Sequence, residues 1–166
     1  MADELKPIGT DATGYEVLTN AVLALLSSYP GLNNKEIFFE ELSETSGIAF
    51  SADSGALVMS ERKSITDHVY QECQFPFFVI YRTTATREFE KLRVQTFLDT
   101  LGKWLCKETV NIDGEVEKLS TYPELADGRR ITRITRSNSY AITPNEDGVQ
   151  DWLLPVTVRY TNEFDM

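Results

Sequence analysis

Four arginines, Arg129, Arg130, Arg133 and Arg136, fall within eight residues of a chain whose formal net charge is −10. A guanidinium fork pairs bidentately with phosphates and with carboxylates, so the cluster has three readings. It is a nucleic-acid patch, a row of charges that keeps a strand edge from pairing with another chain, or a surface that meets acidic groups of a neighbouring copy. Nucleic-acid affinity rests on cationic neutralisation of phosphates, and a chain with 26 acidic and 16 basic residues opposes it. Arginine is also enriched where proteins meet. The cluster is therefore read as an interface. A regular strand places Arg130 and Arg136 on one face and Arg129 and Arg133 on the other.

Other reactive side chains are sparse. His68 is the single histidine and stands beside Asp67. Neighbours on a strand point to opposite faces, so the pair is not a dyad, and His68 is read as a surface or turn residue. Cys73 and Cys106 make neither a disulfide framework nor a metal site and are read as small buried or half-buried residues. Adjacent carboxylates such as Glu40 and Glu41 are read as a solvated face. No G-x-S-x-G elbow, phosphate-binding loop or dinucleotide glycine pattern is present. The sequence predicts no catalytic, cofactor-binding or metal-binding residue, and hence no enzyme.

The charge is unevenly spread: residues 1–67 carry −7, residues 68–108 carry +1 and residues 109–166 carry −4. A length of 166 residues predicts one domain. Such a chain buries roughly 70% of its unfolded surface, which suffices for a core without staples. No stretch is long and apolar enough to predict a membrane span. The acidic N-terminus, MADELKPIGTDATG, lacks the pattern of a signal sequence, which predicts a protein that stays in the cytoplasm where it is made. Residues 1–12 are expected to form a flexible arm.

Two elements dominate the pattern. The run VYQECQFPFFVIYR, from Val69, has the aromatic and β-branched content of a half-buried strand. Pro76 lacks a ladder donor, so a bulge or an edge is expected there. The period then changes from two to 3.6. Val94, Phe97, Leu98, Leu101, Trp104 and Leu105 form one helical stripe, with Lys91, Gln95, Asp99 and Lys103 opposite. Thr84 or Thr86 is the expected cap. Upstream, Thr13 and Glu16 read as a capping box before a stripe of Tyr15, Leu18, Val22, Leu25, Leu26 and Tyr29, which Pro30-Gly31 ends.

Residues 36–50 read as a strand, in two pieces if broken near residues 43–47, and a weaker strand follows at 56–59. Residues 109–127 read as a loop with a turn at Asp113-Gly114. Residues 130–142 read as a strand, joined through a turn at 145–148 to the clearest strand of all. There Trp152, Leu154, Val156, Val158 and Tyr160 alternate with a mixed face, and Pro155 again predicts an edge or a bulge. Trp104 and Trp152 are expected in the core. The order predicts an α+β fold: a mixed, largely antiparallel sheet with two main helices packed on one face.

The order of landmarks is similar to that of the tail terminator proteins of long-tailed phages and phage-tail-like particles, often labelled minor capsid or tail completion proteins. The resemblance runs nearly the full length. It rests on the first helix ending in YPGL, on SGIAFSADSGALVMSERKSITDHVYQECQFPFFVIYRT, and on REFEKLRVQTFLDTLGKWL. The final part is YPELADGRRITRITRSNSYAITPNEDGVQDWLLPVTVRYTNEF, with its W-x-L-x-V-x-V-x-Y strand. The Pro76 interruption and the basic DGRRITRITR strand depart from this pattern.

The resemblance implies a structural virion protein without catalytic residues. It implies a homo-oligomeric ring, usually a hexamer, that caps the tail tube, ends its polymerisation and offers an attachment surface to the neck or head. The implied partners are the tube protein, and with it sheath and neck or connector proteins, at the tail/neck junction of a virion assembled in the host bacterial cytoplasm. DNA passes through such a lumen without specific binding, which an acidic wall suits. Three alternatives stand beside this reading: a head–tail connector ring, a small enzyme, and a monomeric module that binds peptides along a strand edge.

Overall fold

The computed structural model describes residues 6–33, 35–84 and 87–166. The elements are β1 (Gly9–Thr10), α1 (Ala12–Ser27), β2 (Ile37–Phe39), β3 (Gly47–Ala52), β4 (Leu57–Lys63), β5 (His68–Thr83) and α2 (Glu88–Leu105). There follow β6 (Val110–Ile112), β7 (Glu115–Glu117), β8 (Arg129–Arg136), β9 (Tyr140–Ala141) and β10 (Gln150–Asp165). The fold is α+β, as the sequence predicts.

Its spine is the antiparallel pair β5–β10, in register over the full 16 residues of each strand. On the outer side of β5, β4 flanks the first half and β3 the second, with β1 beyond β4 and β2 beyond β3. On the outer side of β10, β9 flanks the first half and β8 the second. The β2–β3 pair alone is parallel among these.

This layout accounts for both prolines. Pro76 sits where the neighbour of β5 changes, between the last β4 partner, Gln74, and the first β3 partner, Phe77. No ladder donor is required at that gap, and the Pro76 carbonyl accepts from the Asp53 amide instead. Pro155 sits likewise where the neighbour of β10 changes from β9 to β8, and its carbonyl accepts from Ser137. The expected edge or bulge is thus replaced in both central strands by a change of partner.

Alternation divides the sheet into two faces. Cys73, Phe75, Phe77 and Val79 of β5, with Trp152, Leu154, Val156, Val158 and Tyr160 of β10, join the helices in one core. Helix α1 contributes Leu18, Val22, Leu25 and Leu26, and α2 contributes Val94, Leu98, Leu101, Trp104 and Leu105. Each large apolar side chain buried this way contributes about 1.5–3 kcal/mol, more than the helix propensities can. Both tryptophans are core residues, as expected. Trp152 is buried, and among the described residues its indole nitrogen has no hydrogen-bond partner.

Several expectations shift. Residues 9–12 do not belong to an arm: β1 pairs with β4, and Asp11 is buried. Residues 1–5 lie outside the described residues. Asp11, not Thr13, caps α1, accepting from the Gly14 amide at 3.0 Å. Aspartate is an equally good cap, and this one is held by contacts distant in sequence. The cap position of α2 is Arg87, with no side-chain cap bond among the described residues; Thr84 precedes it, and Thr86 lies outside the described residues. The expected loop after α2 contains a hairpin, β6–β7, whose two-residue turn Asp113-Gly114 takes positive φ at both positions. The expected strand 130–142 breaks after Arg136, and in the break the Ser139 hydroxyl donates to Asp99 of α2 at 2.7 Å.

Candidate functional site

The four clustered arginines do not form one surface. The register of β8 on β10 shifts between Arg159 and Tyr160: Arg133 lies opposite Arg159 and Ile131 opposite Tyr160, so Thr132 is an extra residue. Its hydroxyl donates to the Arg159 carbonyl at 3.1 Å. A bulge reverses the alternation of everything beyond it. Ile131 and Ile134 consequently both face the core. Arg129 and Arg136 fall on the core side, Arg130 and Arg133 on the other. The pairing of faces expected from a regular strand is therefore wrong.

Arg129 is buried, with only 6% of its side chain exposed, as is that of Asp11. Its Nε and Nη2 donate to the two Asp11 carboxylate oxygens at 2.9 and 2.7 Å. The Tyr160 hydroxyl donates to the same carboxylate at 2.8 Å. Burial alone would raise the Asp11 pKa, but the hydrogen bonds from Arg129, Tyr160 and the Gly14 amide outweigh it and hold the carboxyl below its ordinary value of 3.8. Burial, with the carboxylate beside it, pushes Tyr160 far above its ordinary value. This network joins the start of α1 to β8 and β10. Arg129 therefore has no part in an exposed interface.

Arg136 is half-buried. Its stem crosses α2 at Gly102, where an added Cβ would lie 2.4 Å from Arg136 Cδ, and its Nη2 lies 3.8 Å from Glu108. The glycine inside α2, otherwise unfavourable by about 1 kcal/mol, is explained by this crossing.

Arg130 and Arg133 are exposed, and among the described residues neither forms an ion pair. A third cation joins them. Arg159 of β10, exposed and without an ion pair among the described residues, lies directly across from Arg133. Sequence reasoning missed it because 26 residues separate Arg133 and Arg159; the signal available was its place on the mixed face of the last strand. Beside these cations, a groove along the edge of β8 is lined by Cys106, Lys107, Tyr122, Arg133 and Arg136, among others.

The face of the sheet away from the helices carries a continuous row that crosses five strands. Phe38 of β2 is opposite Ala49 of β3, Ala49 opposite Ile80 of β5, Ile80 opposite Leu153 of β10, and Leu153 opposite Tyr140 of β9. Phe38 and Tyr140, at its ends, are 44% and 47% exposed. Phe78 and Pro155 pair in the next row. The Arg82–Asp151 pair, bidentate at 2.7 and 2.9 Å, borders the stripe on the other side.

The remaining candidates stand apart. His68 meets a carboxylate after all, but from the far end of the chain: its Nδ1 lies 2.8 Å from Asp165, at an exposed position. Asp67 turns away with positive φ towards Lys63. Cys73 is buried and its thiol is pushed up to about 11 by that burial. Burial likewise raises Cys106. Both are thiols, not thiolates, at neutral pH. Among the described residues no group of three His, Cys, Asp or Glu side chains could hold a metal, and no helix is long and apolar enough to cross a membrane. No protein-family model and no curated protein matches the chain.

Proposed function

We propose that this protein is a structural assembly subunit of the tail terminator type. It forms a homo-oligomeric ring, in that family usually a hexamer, at the tail/neck junction of a phage or phage-tail-like particle. There it caps the tail tube, ends polymerisation and presents a surface to the neck. The observation that carries the reading is the side of the sheet away from the helices, where the apolar row is exposed at its ends, Phe38 and Tyr140. It bears an apolar row and three exposed cations, Arg130, Arg133 and Arg159, that form no ion pair among the described residues of a chain with net charge −10. Contiguous apolar surface rimmed by charge marks contact surfaces. The family resemblance supplies the kind of assembly.

The test adds the purified protein to polymerising tube subunits of the same particle and measures tube length and end structure by electron microscopy. Capped tubes of limited length with a ring at one end are expected. Unlimited tubes with bare ends would refute the reading. The rival, a nucleic-acid patch, predicts duplex DNA binding with a steep salt dependence; the acidic chain is expected to show none.

A further inference from the structure

The arginine surface has a complement on the same molecule, out of its own reach. Residues 36–44 carry Glu36, Glu40, Glu41 and Glu44, all exposed and none in an ion pair among the described residues. They frame β2, the edge strand on one side of the sheet, whereas Arg130 and Arg133 lie on β8, the outermost named strand on the other. There Glu124 forms an isolated β-bridge to Arg130 without forming an ion pair among the described residues. The strand order between them is β2–β3–β5–β10–β8. Four inter-strand steps amount to roughly 19 Å. The two patches are further offset along the strands, since β3 flanks the second half of β5 while β8 lies beside the part of β10 that pairs with its first half. At physiological salt the screening length is about 8 Å. The patches therefore cannot satisfy one another within one chain.

We infer that the β8 surface of one copy, Arg130, Arg133 and Arg159, receives the β2 corner of the next copy, with Glu40, Glu41 and Glu44 as the carboxylates. The inference rests on the ring reading above and specifies its interface. Opposite charges at diagonally opposed corners make a heterologous, head-to-tail contact, the kind that closes into a ring when the rotation permits. Phe38, exposed on β2 between Glu36 and Glu40, adds an apolar contact at the seam. A second copy is preferred over another acidic partner because this chain itself provides the complementary corner, at equal concentration.

Two charge-reversed proteins test it: Arg130→Glu with Arg133→Glu, and Glu41→Arg with Glu44→Arg. All four positions are exposed, and circular dichroism checks that each variant folds. Each variant alone presents like charges at both corners and should need a concentration roughly tenfold or more above wild type to assemble. Mixed one to one, they should co-assemble in alternation, as read by light scattering and by affinity capture of one variant with the tagged other. All four changes in one chain should also restore assembly. If wild type forms rings and the glutamate-reversed variant does so equally well, or if the mixture fails to rescue, the corner pairing is wrong and the ring reading survives. If wild type is a monomer both free and at tube ends, both are wrong.

Discussion

Arg129 and Arg130 are adjacent in sequence and differ in almost every physical respect. Arg129 is buried against Asp11, with both carboxylate oxygens engaged and Tyr160 closing the network. Arg130 is exposed and, among the described residues, without an ion pair. The difference teaches where each charge acts. A buried pair is held by its mutual attraction and hydrogen bonds against the cost of desolvation, and removing one partner strands the other in a medium that cannot solvate it. An exposed arginine contributes little to the fold and acts only when a partner surface excludes water around it.

The largest effect that this contrast predicts is at Asp11. Asp11→Ala leaves Arg129 buried and unpaired and should destabilise by about 3–5 kcal/mol in urea unfolding. Adding Arg129→Met should recover much of the loss, since an apolar pair of similar volume can replace a buried ion pair. A variant Asp11→Ala as stable as wild type would remove the contrast.

The next effect concerns the entry to β8. Gly128 has φ +76°, and an added Cβ would lie 2.2 Å from the Glu163 carbonyl oxygen. Gly128→Ala should cost about 1–3 kcal/mol, whereas Gly114→Ala, at φ +87° with nothing within 4 Å, should cost less. Thermal melts of the two separate steric conflict from backbone strain alone.

Acid provides a third test. The Asp11 pKa is lowered in the folded state, so the folded protein holds on to the ionised form more strongly than the unfolded chain does. The stability from this group is fully present above the ordinary carboxylate value of 3.8 and is lost as pH falls through the lowered folded value. The stability of Asp11→Asn should therefore decline less steeply below pH 4 than that of wild type, as read by urea midpoints across pH.

The smallest effect on the fold is expected at the exposed cations. Arg130→Ala and Arg133→Ala should each leave stability within about 0.5 kcal/mol and, on the proposed ring reading, still weaken assembly. A large loss of stability there would mean that these arginines serve the fold and not the assembly.

Much of the architecture was legible because it follows from local periodicity. The stripe from Val94 to Leu105, the alternation from Trp152 to Tyr160, the stop at Pro30-Gly31 and the turn at Asp113-Gly114 each reflect the period or backbone freedom of one element. The candidate site was legible only in part. The density of arginines was visible, but the faces were not, because one extra residue at Thr132 inverts the alternation. Arg159 was hidden because its neighbour Arg133 is set by strand register. Asp11 read as part of an arm because its partners, Arg129 and Tyr160, are more than a hundred residues away.

The sequence by itself determined the α+β class, the two helices, the long apolar strands and the residues of the core, since each depends on side-chain pattern within a few turns or pleats. Only the tertiary structure decided which strands became neighbours, and that decided the rest. It placed Pro76 and Pro155 where central strands change partners, so that neither disrupts a ladder. It enclosed one arginine and exposed the next, and it set the basic and acidic corners too far apart to neutralise each other. These are outcomes of register and strand order, which arise from contacts between distant segments and leave no period in the chain.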